Sequence, residues 1–539
     1  MPQQDANARR RNIETITPLA PLQEGILFHT LLSDDKSIYM PQMAYFLAGP
    51  VDAERLRLAW KEVLARHSAL RSGIHWEERD EPFQVVYRQL PLTWEALDWS
   101  EGDSETQLRA QFAENRAHPF DLRRPPLLRL QLAHLVADRH VLILCFHHII
   151  LDGWSTARML QDVMAFYHGH GDKLPPSPPY AAYIRWMKRQ DQDKGREFWK
   201  RQIDGTPGPS LAFGQDSDRP VFERGEWSFP DPLADSVTTF CAERGVTLST
   251  LLHAVLGLFI AEHLGRSDVF FGSATAGRPA SLEGATDIVG LFLNALPVRI
   301  KLDPNETLIQ WLNRLQVQQA ATTEHEYIAL RDIQGNLGTL FDCLLVVENY
   351  PVTVGPTQSD ITLERVEFDE WTHFPLTILV APAQAGMKLI LRRDKTVIDD
   401  GMLQQFLERF KAILEQTINA PDTLVGTCVG ELTVLPPATQ EPKAVGPIRD
   451  TSTETEATVA EIWADVLRSS RPKASDNFFA IGGHSLLAAK VVTRIRKRFD
   501  IGLPVRVMFD KPVLADLALH IDALRVTSEP QPGDAMVEF

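Results

Sequence analysis

The sequence predicts an α/β body followed by a small all-α unit, and three observations carry that reading. Helical and strand-like patterns alternate from about residue 13 to about residue 430, the mark of mixed layers around a core. A segment with four prolines and many small polar residues, LPPATQEPKAVGPIRDTSTETEAT, then breaks the pattern at 435–458 and reads as an extended, solvated linker. Beyond it Val459, Ile462, Trp463, Val466 and Leu467 recur at helical spacing.

In chain order, the basic and polar residues 1–12 read as a disordered tail, with Arg9 to Arg11 as a candidate docking element. Glu54 to His67, Thr156 to Gly169 and Leu248 to Leu264 carry helical patterns, and Val141 to Phe146, Val269 to Gly272 and Cys343 to Val347 read as strands. The Pro-rich KLPPSPPY at 173–180 is placed to join two halves, 13–180 and 181–435. After the linker at 436–456, a unit at 457–526 has a further helix from Ser485 to Arg498, with Leu487, Val491, Ile495 and Phe499 four apart, and a short one near Ala515 to Leu524. A helical bundle of this size folds alone. Residues 527–539 read as a disordered tail.

Composition narrows the class. With 539 residues, about three or four structural units are expected at roughly 150 residues each. Hydrophobic residues at 44% and charged residues at 23% are ordinary for globular chains, which excludes disorder as the main state. A net charge of −16 argues against nucleic acid as partner, since phosphate binding needs a basic surface. No apolar run approaches the roughly 20 residues of a membrane span, and no apolar core follows the basic N-terminus, so a cytoplasmic chain without a membrane partner is expected. Cys145, Cys241, Cys343 and Cys428 lie far apart, which disfavours a disulfide framework or a zinc site.

Two constellations carry chemistry. In VLILCFHHIILDGWS, His147 and His148 end an apolar strand. Adjacent side chains on a strand face opposite ways, so only one of the two reaches a given cavity while the other packs inward or braces the loop. Asp152 follows in a turn that Gly153 lets run tightly, and its carboxylate is placed to pair with an arginine or to hold a histidine. A lone histidine here would be read as a satisfied core residue; the grouped pattern favours a site. No metal is expected, because the histidines diverge and a third ligand is missing.

The second constellation is DNFFAIGGHSLLAAK, where Gly482 and Gly483 precede His484 and Ser485 at a helix start. Ser485 as a plain N-cap is one reading. Against it, paired glycines admit a close backbone, and a helix N-terminus favours a phosphate ester. Leu487 stands where a nucleophile elbow needs glycine, so covalent attachment fits better than hydrolysis. Lys490, Arg494, Arg496, Lys497 and Arg498 form a solvated helix face or a docking surface.

These residues bring a resemblance into view. Residues from about 13 to 435 resemble a condensation domain of nonribosomal peptide synthetases. The signature HHxxxDG stands at 147–153, with PLAPLQEGILFH (18–29), ARHSALRSGI (65–74), YAAYIRW (180–186), SATAGRP (273–279), IVGLFLNALPVRI (288–300) and LLVVENYP (344–351) around it. Residues from about 455 to 526 resemble a peptidyl carrier domain, its DNFFxxGGHSL signature complete.

The resemblance implies two chloramphenicol-acetyltransferase-like lobes in a V, a tunnel between them, and a four-helix carrier bundle. It implies that an acceptor amine attacks a donor acyl or peptidyl thioester. His148 matches the family's catalytic histidine and either removes the amine proton or positions the amine and stabilises the tetrahedral intermediate. His147 is expected to brace the loop, and Asp152 to be structural, paired with Arg66 or Arg71, with the Gly153 backbone helping to form the site. Arg278 and Asn294 match segments lining the tunnel. Ser485 matches the attachment point of 4′-phosphopantetheine.

An adenylation domain normally separates the two domains, and the linker leaves no room for one. The expected partners are therefore an upstream donor carrier and an adenylation or other loading enzyme, both in trans, with a phosphopantetheinyl transferase. Ester formation with a hydroxyl acceptor, epimerisation, and a recruitment platform without chemistry stand as alternatives. Epimerisation is disfavoured because there the carrier precedes the catalytic domain.

Overall fold

The computed structural model describes residues 11–33, 35–77, 81–214, 221–347, 360–382, 387–428, 453–479, 481, 483 and 485–528. The expected linker and both expected tails lie outside these residues except at their edges, as do Gly482, His484 and the end of LLVVENYP. The chain groups into a large unit that runs to Ala438 and a small one that holds Thr439–Phe539 together with Glu24–Lys36 and His75–Pro82.

Among the described residues, three sheets build the large unit. In the first half, Arg139–Phe146 lies at the centre of a five-stranded sheet, antiparallel to Gln42–Ala48 on one side and to Leu128–His134 on the other, with Trp94–Asp98 parallel beyond the latter. Gln42–Ala48 is mostly buried and would otherwise present a bare edge, a template for unwanted pairing. That edge is covered by Thr362–Asp369, a strand from the second half of the chain. A three-stranded sheet joins Ile13–Pro18, Phe83–Tyr87 and Ser72–His75. The second half carries a six-stranded sheet in the order Asn294–Lys301, Asp268–Thr275, Cys343–Val347, Leu376–Pro382, Met387–Asp394, Phe222–Ser228.

The helix Leu248–Leu264 spans the residues its sequence predicts. Thr247 caps it by accepting from the Thr250 N–H, and Gly265 ends it at φ 62°, where glycine carries no Cβ penalty. It is apolar on all sides because it is buried on all sides, in a core with Trp311, Phe406, Phe410 and the strands at Phe271 and Leu345. Cys343–Val347 also forms as predicted, and the predicted strand Val141–Phe146 starts two residues earlier at Arg139. The helix expected from Thr156 begins instead at Gly153, because Asp152 accepts from the Ser155 N–H and nucleates it. It packs on Ala53–Arg66, the latter burying Leu56, Trp60, Val63 and Leu64.

The Pro-rich stretch at 173–180 is tied down rather than free. Its Ser177 hydroxyl lies 3.1 Å from His67 Nδ1, the Tyr180 N–H donates to the Ser68 hydroxyl, and the Tyr180 hydroxyl donates to the Leu291 carbonyl. The motif segments around Tyr180 and Phe292 therefore share one apolar cluster with Tyr183, Ile184, Ile288, Leu296 and Ile328.

The small unit is helical: Glu454–Leu467, Ser485–Phe499, Val507–Asp510 and Leu514–Ser528. Thr453 and Glu456 form a capping box that starts the first helix. Val459, Trp463, Phe478, Val491, Ile495, Leu503, Leu517 and Ile521 make its core. Among the described residues no single helix is long and apolar enough to cross a membrane.

Candidate active site

The central strand Arg139–Phe146 delivers His147 and His148 at its end. The backbone is pinned from three sides: the His147 N–H donates to the Leu127 carbonyl (2.9 Å), the His148 N–H to the Tyr39 carbonyl (2.8 Å), and the Gln23 side chain to the Ile149 carbonyl (2.8 Å). Gln23 comes from the PLAPLQEG segment, which the sequence marked as a motif without assigning it a contact.

The two rings part as strand geometry requires. His147 as a whole residue is 1% exposed, and its Nδ1 accepts from the Ile149 N–H at 3.2 Å. Burial pulls its pKa down to about 3, so it stays neutral and braces the turn. The His148 side chain keeps 17% exposure. Its Nε2 lies 3.2 Å from Glu370 Oε1, and the other Glu370 oxygen accepts from Arg392 Nη1 at 2.9 Å. His148 Nδ1 is buried and has no hydrogen-bond partner among the described residues.

Asp152 sits in a dense network. Its Oδ1 accepts from the Ser155 N–H (2.7 Å), its Oδ2 from the Phe292 N–H (2.9 Å), and Arg278 Nη2 reaches both oxygens at 3.2 and 3.4 Å. Arg278 also donates to the Ser155 hydroxyl and to the Ala285 and Ile288 carbonyls, and stacks 4.1 Å from the Phe292 ring centroid. The Ser155 hydroxyl donates to the Gly290 carbonyl and accepts from its N–H. One carboxylate thus caps a helix of the first half and holds a turn of the second.

The expected pairing of Asp152 with Arg66 or Arg71 is corrected by this geometry. Arg66 Nε binds Asp162 at 2.8 Å, a carboxylate shared with His67 at 2.9 Å, and Arg71 binds Glu14 at 2.6 Å and the carbonyls of Leu64 and Arg88. Both arginines have partners of their own, and the guanidinium that meets Asp152 is Arg278. Asn294 is buried, and its amide donates to the Glu326 and Ile328 carbonyls while its oxygen accepts from the Ala295 N–H, so it staples backbone. The Glu326 carboxyl beside Thr275 is raised by burial to about 7.

Ser485 is the first residue of its helix. Before it, Gly483 donates to the Phe478 carbonyl, and a Cβ there would sit 2.4 Å from that oxygen and from the Phe478 ring. Glycine is required because a core phenylalanine packs directly beneath the loop. A 15-residue helix that opens on a serine suits a phosphodiester, since free N–H groups face that end.

Comparison with known proteins decides the family. Residues 13–441 match the Condensation domain and residues 457–521 the Phosphopantetheine attachment site. The chain belongs to the condensation-domain family of nonribosomal peptide synthetases. It is 34% identical over 440 residues to a linear gramicidin synthase of Brevibacillus parabrevis, covering 76% of this chain and 9% of that protein. Surfactin synthase subunit 3 of Bacillus subtilis (strain 168) is 28% identical over 425 residues, covering 76% of this chain and 33% of that one. The chain thus spans a minor part of these relatives.

The fold of this condensation–carrier chain is similar to that of the first condensation domain of the calcium-dependent antibiotic synthetase, solved with a substrate analogue, at a TM-score of 0.65 and 19% identity, over 78% of this chain and 100% of that one. The condensation domain of the Monacolin K polyketide synthase MokA gives 0.67 at 17% identity, over 77% and 100%. Condensation domains are transferases that form amide bonds, and the carrier domain takes 4′-phosphopantetheine covalently on a serine. Residues 442–456 alone separate the two matched regions, which leaves no adenylation domain between them.

Proposed function

We propose that the chain joins a donor acyl or peptidyl thioester, delivered in trans by another carrier, to an acceptor amine tethered through Ser485 of its own carrier domain. His148 is the catalytic group, Asp152 and Arg278 clamp the site, and His147 braces the turn. A loading enzyme in trans charges the carrier, after a phosphopantetheinyl transferase has modified it. The prosthetic group would supply a thiol on a flexible arm, and the chain's residues would do the positioning.

The observation that carries this reading is the different fate of the three signature side chains. Asp152, 4% exposed, is consumed by the clamp, and His147, 1% exposed overall, by the turn; His148, 17% exposed, is the one left open to a reactant. Holding amine and thioester in register at that imidazole removes much of the entropic barrier, up to roughly 7–11 kcal/mol for well-oriented reactants.

The test begins with coenzyme A, a broad-specificity phosphopantetheinyl transferase and intact mass, with Ser485→Ala beside wild type. One added phosphopantetheine mass, absent from the variant, is expected. Carrier loaded with glycine from glycyl-coenzyme A is then mixed with aminoacyl thioester donors, and dipeptide on the carrier is read by mass. His148→Ala is expected to lose about 100-fold or more. An undiminished rate in that variant would overturn the reading in favour of a recruitment platform.

A further inference from the structure

We infer that Glu326 is a specificity-determining residue for this reaction: its carboxylate receives a cationic group, the ammonium or guanidinium at the end of a substrate side chain. The inference rests on the condensation reading given above and deepens it by naming a substrate class.

Glu326 is held by the strands that lead to the clamp. Asn294 and Thr275 lie opposite each other where Asn294–Lys301 pairs with Asp268–Thr275. The Asn294 amide fixes the turn around Glu326 at two points, donating to the Glu326 carbonyl at 2.7 Å and to the Ile328 carbonyl at 3.0 Å. The Glu326 carboxyl then faces the Thr275 side chain and the Gly277 N–H. Gly277, at φ 59°, immediately precedes Arg278, whose guanidinium meets Asp152. Tyr183 feels the charge of Glu326 and of Asp152 alike, so one phenol lies within reach of both carboxyl groups. Glu326 therefore borders the elements that fix the signature turn.

Three features single out this carboxyl. Among the described residues it has no ion pair, whereas Asp152, Asp162, Asp268 and Glu370 each lie beside an arginine. Asp342 also lacks an arginine, but it is sealed in and accepts from the backbone N–H groups of Ala212, Phe213 and Gly214. Glu326 is partly exposed, so its oxygens stay open to a ligand. Aromatic faces stand close by: the Tyr183 ring lies 4.2 Å from the Phe292 centroid and stacks at 6.1 Å on Trp186, and Tyr327, next in the chain to Glu326, meets Trp186 edge to face. A carboxylate near aromatic faces is the pairing that holds ammonium and guanidinium groups. Burial disfavours the charged carboxyl and raises its pKa to about 7, and a bound cation would offset that cost. The other charged or titratable groups about it are Tyr183, the Asp152–Arg278 pair beyond that phenol, and Glu324 and His325 on its own turn.

The experiment uses full-length holo-protein and compares lysine with norleucine, which match in carbon chain and differ by the terminal ammonium. In the donor arm, lysyl and norleucyl N-acetylcysteamine thioesters meet glycine on the carrier. In the acceptor arm, lysine or norleucine, loaded on the carrier from its coenzyme A thioester, meets a glycyl donor. In one arm the rate with lysine is expected to exceed that with norleucine by at least about ten-fold, and that arm shows which substrate Glu326 reads. In Glu326→Gln the lysine-to-norleucine ratio is expected to fall to about one, and in Glu326→Asp only part of the way, because the charge persists. Both rates come from one preparation, so any loss of folded protein cancels in the ratio. The wild-type ratio is also expected to drop by up to about ten-fold from pH 8 to pH 6, as the carboxyl protonates below about 7, while titration of His148 affects both substrates alike. Absence of a lysine preference in both arms, or a preference that survives in Glu326→Gln, overturns the inference, while product from any pair keeps the condensation reading. Absence of product from every pair removes both.

Discussion

Arg278 and Asp152 are 126 residues apart in sequence, yet Arg278 Nη2 lies 3.2 Å from Asp152 Oδ1, with both side chains about 5% exposed. A buried charge stripped of its partner costs about 3–5 kcal/mol. Asp152→Ala removes the charge, the helix cap and the acceptor of the Phe292 N–H together, so a loss at the upper end of that range is expected in chemical denaturation, with condensation abolished. Asp152→Asn keeps an oxygen for the Ser155 N–H and is expected to lose less stability. If both variants unfold at the wild-type midpoint, the clamp is not what holds the two halves in register.

Ser155 makes three hydrogen bonds with one hydroxyl: to the Gly290 carbonyl, from the Gly290 N–H and from Arg278. Ser155→Ala leaves these buried groups unmatched, and each orphaned group costs about 1–3 kcal/mol. A drop in unfolding free energy of that order is expected, with a smaller loss of rate than for Asp152→Ala, because the Asp152–Arg278 pair survives. Stability and rate measured on the same preparation check the order of the two variants.

What the sequence shows and what it hides divide along chain distance. Leu248–Leu264 and Cys343–Val347 were legible because apolar pattern, cap and stop all lie within the segment itself. Strand alternation made it legible that only one of His147 and His148 can face a given cavity, while the choice of His148 came from the family resemblance and not from the strand pattern. Arg66 and Arg71 looked apt for Asp152 because they sit in a motif, but Asp162 and Glu14 already hold them, and nothing local says so. Glu370 was missed for a related reason. It follows an ordinary edge strand, and only the pairing of Thr362–Asp369 with Gln42–Ala48 brings it to His148. A register between distant strands has no signature inside either strand.

His147 gives a pH dependence of stability. Its folded pKa of about 3 lies below the ordinary 6.5, so between those values the unfolded chain binds a proton that the folded chain refuses. The stability it contributes is complete above about pH 6.5 and falls away as pH drops toward 3. At pH 5 the loss from this residue is about 2 kcal/mol, at about 1.4 kcal/mol per unit. His253, held near 4 by burial, acts in the same direction, so the residue must be isolated. His147→Asn keeps an acceptor for the Ile149 N–H and removes the titration. The wild-type loss between pH 7 and pH 5 is expected to exceed that of the variant by about 2 kcal/mol; equal slopes would mean that His147 is protonated in the folded state.

Gly483 tests the carrier loop without touching Ser485. A methyl group at this position would lie 2.4 Å from the Phe478 carbonyl oxygen and ring, and Phe478 belongs to the core with Trp463, so neither can withdraw cheaply. Gly483→Ala is therefore expected to displace the loop that presents the serine rather than to be absorbed. Phosphopantetheine transfer, followed by intact mass over time, should slow by at least about ten-fold, corresponding to roughly 1.4 kcal/mol in the transfer barrier. The helical signal of the small unit should persist, because Val491, Ile495, Leu517 and Ile521 remain buried in its core. Unchanged transfer kinetics would show that the modifying enzyme reads the serine without this loop geometry, and the pairing of glycine with Phe478 would then serve packing alone.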